Sequence, residues 1–341
     1  MKSTLKLSLM LAALSLFSCA EAPVRSNLST RPLPPSAFDA ELSNYNYPRD
    51  VSFFEFQSQG QPLRMAYELA EPARPNGRTV LLLHGKNFTA AYWENTIQAL
   101  LDRGFRVVAP DQIGFGKSSK PAAYQFTFQA LSANTQALLA SLKIEKVSIV
   151  GHSMGGMLAT RFALQYPTAV EKLVLVNPIG LEDWQRSVPY RTVEETYQAE
   201  LKATPASIRE YQRVNYFGGE WKESYAPLVE VASGFTRHPD YPRVAWNSAL
   251  TADMIFTQPV LYDFPRLALP TLLIIGQRDR TAIGRAYADP AAAKLLGNYP
   301  KLGRAAARAI KKSQLVELPG LGHLPQVEDF PKFRAALLKF L

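Results

Sequence analysis

One short stretch of the sequence places a serine between glycines where a strand pattern changes into a helix pattern. The apolar run VSIV leads into GHSMGG, with Ser153 at its centre, and helical spacing follows as far as Pro167. A serine on such a turn projects from the carboxyl end of a sheet, beside the unpaired N–H groups of a helix start. A bare Gly-x-Ser-x-Gly can be only a tight turn, but these flanks predict that Ser153 is a nucleophile.

A serine hydroxyl is a weak nucleophile and needs a base. The chain has four histidines. His323, in GLGHLPQVED, follows the last predicted strand in a glycine-rich loop, which would return its side chain to the sheet edge beside Ser153. The sequence therefore predicts His323 as the general base. We expect His84 to shape a loop, His152 to point away from the serine, and His238 to be a surface or cap residue.

The base needs a carboxylate that orients it. Between Ser153 and His323, Asp279 is the one aspartate that directly follows a buried strand, in LLIIGQRDRTA. It would accept the Nδ1–H of His323 and stabilise the imidazolium. The competing position, at the end of the preceding strand, is occupied by Asn177. The alternative role for Asp279 is a surface salt bridge with a neighbouring arginine.

An oxyanion formed at the serine needs two backbone N–H donors. One is expected from Met154 and the other from Lys86, with Asn87 as the alternative. The Lys86 side chain either faces the pocket and favours acidic substrates or pairs with a carboxylate.

Alternating strand and helix patterns must position these residues. They predict an α/β fold with a mostly parallel sheet of about eight strands and helices on both faces. We assign residues 49–181 and 265–341 to this core, and residues 182–264, rich in aromatics and helical spacing, to an inserted helical cap. Asn87, Trp184, Phe217 and Trp221 are expected to contact substrate.

These features resemble the α/β-hydrolases of the esterase, C–C hydrolase and epoxide hydrolase type. The resemblance covers about residues 51–341 and includes LLLHGKNF, PDQIGFGKSSKP, GHSMGG, LLIIGQRD and GLGHLPQVED, in family order. It implies an α/β-hydrolase fold with a cap and a triad of Ser153, Asp279 and His323. Dehalogenases and epoxide hydrolases of this family use an aspartate nucleophile, which Ser153 argues against.

The residues favour a serine hydrolase that cleaves a small or medium carboxylic ester through an acyl-enzyme. The same triad would also serve a C–C bond hydrolase, a proline iminopeptidase-like amidase or peracid formation. Proline iminopeptidases usually carry a GGSWGG-like turn instead of GHSMGG. A non-catalytic binding protein of the same fold is a minor alternative, because such proteins usually lose a triad member.

The N-terminus is typical of an export signal, with Lys2 and Lys6 before a short apolar stretch. We assign residues 1–18 to a signal peptide and 19–48 to a tether. Cys19, the single cysteine, ends a segment that resembles the lipobox of bacterial lipoproteins, although Phe17 departs from it. A lipidated Cys19 would anchor the protein to a membrane in the periplasm or cell envelope. The alternative is cleavage after Ala20.

Composition excludes several other classes of protein. The net charge is +9, without a basic run of five residues, so nucleic-acid binding is not expected. No metal-ligand cluster or phosphate-binding glycine pattern occurs, and we expect no cofactor or metal. The small-molecule partner is the substrate. A basic insertion, residues 285–312, fits a solvated helix face, or a surface that lies on anionic headgroups.

Overall fold

The computed structural model describes residues 36–341, in which strands and helices alternate as the sequence predicts. The strands of this part are β1 (Val51–Ser58), β2 (Gln61–Ala70), β3 (Thr79–Leu83), β4 (Arg106–Pro110), β5 (Val147–His152), β6 (Val170–Val176), β7 (Thr271–Gly276) and β8 (Ser313–Leu318). The helices are α1 (Glu94–Leu101), α2 (Phe128–Ser141), α3 (Met154–Gln165), α4 (Val193–Glu200), α5 (Pro205–Asn215), α6 (Pro227–Phe235), α7 (Tyr241–Thr257), α8 (Pro290–Leu295), α9 (Tyr299–Ala309), α10 (Pro325–Glu328) and α11 (Phe330–Phe340).

The strands form one sheet in the order β1-β2-β4-β3-β5-β6-β7-β8. The pairs β1–β2 and β2–β4 are antiparallel, and every later pair is parallel. The prediction of a mostly parallel α/β sheet is confirmed. Because β3, β5, β7 and β8 run in the same direction, the residues that follow them meet at one edge of the sheet.

Both faces of the central strands are buried, because the side chains of β3 to β7 alternate between two apolar clusters. Leu81 and Leu83 of β3 face one cluster, and Val80 and Leu82 face the other. The first cluster is closed by α2 and α3, and the second by α1 and α11. This double burial explains why the parallel strands are continuous apolar runs.

Residues 177–270, between β6 and β7, contain α4 to α7 and no strand. The sequence starts α4 and α5 at threonines, where the hydroxyls of Thr192 and Thr204 each accept the N–H three residues later. We refer to residues 182–264, the predicted cap, as the cap. Its α4 and α7 pack together, and its loops reach the edge of the sheet described above.

Residues 36–48 differ from the prediction of a tether. Phe38 and Leu42 are buried in a cluster with Phe235 of α6, and the Phe38 N–H donates to the Gly234 carbonyl at 3.1 Å. The tether prediction is wrong for these residues, because their apolar side chains find a partner surface on the cap. Residues 1–35, which include the predicted signal peptide and Cys19, lie outside the described residues.

The basic insertion forms α8 and α9. Helix α9 packs its small residues inward, with Gly303 against Ile275 of β7, while Lys301, Arg304 and Arg308 are exposed. This arrangement agrees with a solvated helix face. None of the helices within residues 36–341 is long and apolar enough to cross a bilayer.

Candidate active site

Ser153 lies between the last residue of β5 and the first residue of α3, with φ 56° and ψ −121°. Positive φ is uncommon for a residue with a Cβ and needs support from its surroundings. That support comes from the backbone. The Ser153 N–H donates to the Val176 carbonyl of β6 at 3.2 Å, and the Ser153 carbonyl accepts from Gly156 at 2.9 Å. The side chain is held at the carboxyl end of the sheet.

The glycines around Ser153 are required by close packing. A Cβ on Gly155 would overlap the Leu83 carbonyl of β3, and one on Gly151 would overlap the Gly155 carbonyl. The helix that follows the serine therefore approaches the neighbouring strand more closely than any other residue would allow. This approach directs the positive end of the α3 dipole towards the serine.

Asp279 and His323 form a fully buried pair in the loops after β7 and β8. His323 Nδ1 lies 2.6 Å from Asp279 Oδ2, and neither side chain is exposed to solvent. The other carboxylate oxygen of Asp279 accepts the Thr281 N–H at 2.8 Å. A carboxylate can only accept, so Nδ1 carries the proton and the imidazole presents Nε2 as an acceptor. The surface salt bridge considered for Asp279 is absent from residues 36–341.

Asn177, which follows β6, also binds the carboxylate. Its Nδ2 donates to Asp279 Oδ2 at 2.9 Å, and its Oδ1 accepts the Gly276 N–H at 2.8 Å. Asn177 thus ties the end of β6 to the end of β7 and supplies a further donor to Asp279. Sequence reasoning noted only that no acid occupies this position. The signal was a hydrogen-bonding residue at a strand end of the same sheet edge.

Ser153, Asp279 and His323 are brought to one edge of the sheet. The ring of His152, the neighbour of Ser153, lies 4.8 Å from the His323 ring between centroids. His323 Nε2 is buried and makes no hydrogen bond with any atom of residues 36–341. In unliganded sites, such nucleophile–base hydrogen bonds often form only when substrate is bound.

The other histidines have structural contacts. His152 Nε2 lies 2.9 Å from the His323 carbonyl and its Nδ1 lies 3.0 Å from the Tyr92 hydroxyl. Because a carbonyl can only accept, Nε2 is the donor, and burial lowers the pKa of His152 well below its usual range. His84 is buried, and its Nε2 accepts the Gln112 N–H at 3.0 Å. His238 is half-buried in the cap.

The loop after β3 passes directly over the serine. A Cβ built on Gly85 would lie 3.0 Å from the Ser153 Cβ. Lys86 and Asn87 follow in this loop, and the Met154 N–H lies at the start of α3. Both segments that carry the predicted oxyanion donors therefore flank Ser153.

The Lys86 side chain pairs with the cap. Its Nζ donates to the Ser248 Oγ of α7 at 2.5 Å and lies 3.5 Å from Glu200 Oε1 of α4. Ser248 also donates to Glu200 at 2.9 Å. This contact favours the carboxylate-pairing alternative, although Lys86 also lines the cavity described next.

A cavity of about 700 Å³ lies between the core loops and the cap helices. Its apolar wall includes Phe88, Phe115, Ile208 and Phe256, and its polar groups include Asn87. Lys120 also lines it; burial lowers the pKa of this ammonium to about 7, and its Nζ donates to the Gly116 carbonyl at 2.6 Å. The cavity has the size and the mixed lining of a small-molecule site. Ser153, Asp279 and His323 do not line it, and it adjoins them through Lys86, Asn87 and Phe88 of the loop that passes over Ser153.

Three aromatics predicted to contact substrate do not line this cavity. Phe217 and Trp221 pack with Tyr225 in a cap cluster, where the rings of Phe217 and Tyr225 stack 4.0 Å apart. Trp184 is buried in the main core cluster. These three side chains pack inside the protein instead of on this cavity, and their contact with substrate stays a prediction. Only Asn87 of the predicted contacts lines the cavity.

Within residues 36–341 no group of three or more His, Cys, Asp or Glu side chains could hold a metal ion.

Comparison with known proteins gives consistent matches. A family model described as alpha/beta hydrolase fold matches residues 78–330. The chain is 52% identical to a probable hydrolytic enzyme from Pseudomonas aeruginosa whose crystal structure is known. The match covers 90% of this chain and 99% of that enzyme's chain, with a TM-score of 0.89. It is 28% identical to a putative non-heme chloroperoxidase from Synechocystis, over 78% of this chain and 91% of that protein. An uncharacterized Mycobacterium tuberculosis protein is 42% identical over 106 residues, which is 31% of this chain and 30% of that protein.

Proposed function

This chain belongs to the alpha/beta hydrolase fold family and is a hydrolytic enzyme, and we propose that it cleaves a small or medium carboxylic ester through an acyl-enzyme on Ser153. Ser153 Oγ attacks the ester carbonyl carbon while His323 Nε2 takes its proton. The tetrahedral oxyanion receives the N–H groups of Lys86 and Met154. Collapse expels the alcohol, which takes the proton from His323. Water, activated by the same base, then releases the acid and restores Ser153.

The observation that carries this proposal is the buried 2.6 Å contact between His323 Nδ1 and Asp279 at the same sheet edge as Ser153. A carboxylate on Nδ1 selects the tautomer whose Nε2 can accept the serine proton. It also stabilises the imidazolium that forms. A structural role alone would not require a buried Nε2 without a hydrogen bond in residues 36–341, at the same sheet edge as a serine with positive φ.

The choice of an acyl bond follows from the nucleophile and the cavity. A serine forms an acyl-enzyme from a carbonyl compound, whereas an alkyl-transfer reaction on this fold uses a carboxylate nucleophile. The cavity lining is mainly aliphatic and aromatic, which supports an apolar acyl or alkyl group. Its volume of about 700 Å³ supports a small to medium substrate.

The nucleophile is tested with a fluorophosphonate probe, which phosphonylates activated serines. We expect labelling of the wild type and none of Ser153→Ala. Ser148→Ala is the matched control, because Ser148 is a buried serine in β5, five residues before Ser153. Full labelling of Ser153→Ala would refute the assignment.

The bond type is tested with a panel of p-nitrophenyl esters of increasing acyl length, aminoacyl-naphthylamides and dienones. We expect the highest kcat/KM on an ester, with turnover abolished in Ser153→Ala. Ser153-dependent turnover that is strong only on dienones or amides would instead identify a C–C hydrolase or an amidase.

We also propose that the protein is exported and anchored through lipidated Cys19. The lipobox-like LFSC supports this location, and a two-chain lipid is sufficient for stable membrane binding. Radiolabelled fatty acid should enter the wild type and not Cys19→Ser when each is expressed in bacteria. An unlabelled mature protein that begins at Glu21 would instead show cleavage after Ala20.

A further inference from the structure

The end of helix α5 in the cap is bonded to the two loops that carry Asp279 and His323. The Asn215 carbonyl accepts the Arg280 N–H at 3.2 Å, and the Tyr216 carbonyl accepts the His323 N–H at 2.8 Å. His323, and Arg280 next to Asp279, thus donate their backbone N–H groups to two consecutive carbonyls of the cap. The cap is part of the framework that holds these loops.

The Tyr216 side chain covers one face of the His323 ring. The two rings stack with centroids 4.5 Å apart and planes inclined by 26°. Asp279 fixes only the Nδ1 edge of the imidazole, so a second contact is needed to stop the ring from tilting out of line with Ser153. The Tyr216 ring supplies a flat surface in that position.

The Tyr216 hydroxyl reaches the third part of the site. It accepts a hydrogen bond from Asn87 Nδ2 at 2.7 Å. Asn87 follows Lys86 in the loop that carries the proposed oxyanion donor, so one side chain contacts both the base and the oxyanion loop.

This cap segment approaches the loop before His323 so closely that residue 322 must be glycine. A Cβ on Gly322 would overlap the Tyr216 carbonyl. Arg278, beside Asp279, adds ion pairs to Glu220 of the cap at 2.9 Å and to Glu328 at 3.3 Å. The junction is therefore a packed, charged and hydrogen-bonded interface rather than an incidental contact.

We infer that Tyr216 is a positioning residue, which holds the His323 ring and the oxyanion loop in register for attack by Ser153. The inference rests on the proposed function and adds a cap residue to the machinery. Tyr216 does not touch reacting atoms and acts through its two neighbours. Its loss should lower kcat more than it raises KM, because the cavity wall that binds substrate is left in place.

The test compares Tyr216→Ala, Tyr216→Phe and Tyr225→Ala. Tyr225 is the matched control, a cap tyrosine that is 3% exposed where Tyr216 is 4% exposed, and it stacks on Phe217 instead of His323. A misplaced catalytic group can lose about 100-fold in rate, so we expect kcat to fall about 100-fold in Tyr216→Ala with KM little changed. Tyr216→Phe keeps the stack and should recover all but about tenfold of kcat.

A second readout does not depend on turnover. The proton in the 2.6 Å contact between His323 Nδ1 and Asp279 should give a far-downfield ¹H NMR signal in the full-length protein. We expect this signal to shift or broaden in Tyr216→Ala and to stay in place in Tyr225→Ala. If Tyr216→Ala does not fold, Tyr216→Leu replaces it, since it fills space without a flat face.

The hydroxyl contact is tested by a double-mutant cycle. The kcat of the double variant Tyr216→Phe, Asn87→Ala should be no lower than that of Tyr216→Phe alone. Each change removes the same hydrogen bond, so the second change has nothing further to remove.

The outcomes separate the two proposals. Unchanged kcat and an unchanged signal in Tyr216→Ala, or equal losses in Tyr225→Ala, would overturn the role of Tyr216. A wild type without Ser153-dependent turnover would overturn the proposed function, while the NMR comparison would still decide whether Tyr216 positions His323.

Discussion

Replacing Asn177 by alanine tests whether the end of β6 supports the acid–base pair. The change removes the donor to Asp279 Oδ2 at 2.9 Å and leaves the buried Gly276 N–H without its acceptor. A hydrogen bond to a charged group contributes about 1.5–3 kcal/mol, and an orphaned buried donor costs about 1–3 kcal/mol. Asn177 also has φ 35°, in the left-handed region, where alanine costs about 1–2 kcal/mol more than glycine.

From these contributions we expect Asn177→Ala to lower the free energy of unfolding by about 3.5–8 kcal/mol. Asn177→Gly should lose about 1–2 kcal/mol less, because glycine adopts positive φ without strain. Guanidinium denaturation measures both. We also expect kcat on the best ester to fall about 10- to 100-fold, since an outer partner of a catalytic group is lost.

Asn134→Ala is the control for deletion of a buried asparagine away from the site. Asn134 donates to the Tyr124 hydroxyl at 2.9 Å from helix α2, so this change should lower stability and leave kcat unchanged. A loss of under about 1 kcal/mol in Asn177→Ala, or an equal kcat in the two variants, would refute the reasoning.

Three further outcomes follow from the site and its surroundings. Asp279→Asn should lower kcat about 10⁴-fold, because the amide favours the wrong tautomer of His323; a loss under about tenfold would contradict the orienting role. Lys86→Met keeps the backbone N–H and should lower kcat far less than Asp279→Asn; an equal loss would contradict a backbone role. Burial raises the pKa of Glu68 to about 8, so the folded state binds more protons than the unfolded state between about pH 4.5 and 8. Stability should therefore fall as pH rises through that window, and Glu68→Gln should remove this dependence in denaturation measured across pH; an unchanged slope would contradict it.

The sequence alone predicts the sheet well, and also the edge of the sheet at which the candidate catalytic residues lie. Buried parallel strands are continuous apolar runs, and the residues that follow them must gather at one edge, so Ser153, Asp279 and His323 were chosen from strand ends. The alternating architecture is confirmed in the eight-stranded sheet within the described part of the chain.

The cap is harder to predict, because a high aromatic content indicates that side chains are packed but not which surface each one faces. Their aromatic type predicts that Phe217 and Trp221 contact substrate, and in the structure the two rings pack on each other. Tyr216, one residue earlier, faces His323, and no local pattern distinguishes it from its neighbours. Contacts between helices and distant loops arise from the tertiary arrangement, so one-dimensional periodicity does not reveal them.

The segment 36–48 has a consequence for movement of the cap. It is joined to the cap through Phe38 and Gly234 and to the core through the Tyr47 hydroxyl, which donates to Asp111 at 2.6 Å. Between them, Glu41 pairs with Arg64 of β2 and with Arg243 of α7. This segment acts as a strap across the two parts of the molecule. A movement that separated the cap from the sheet would have to break the contacts of this segment with one of the two. Substrate should therefore enter by local motion of side chains and loops instead of by opening of the whole cap.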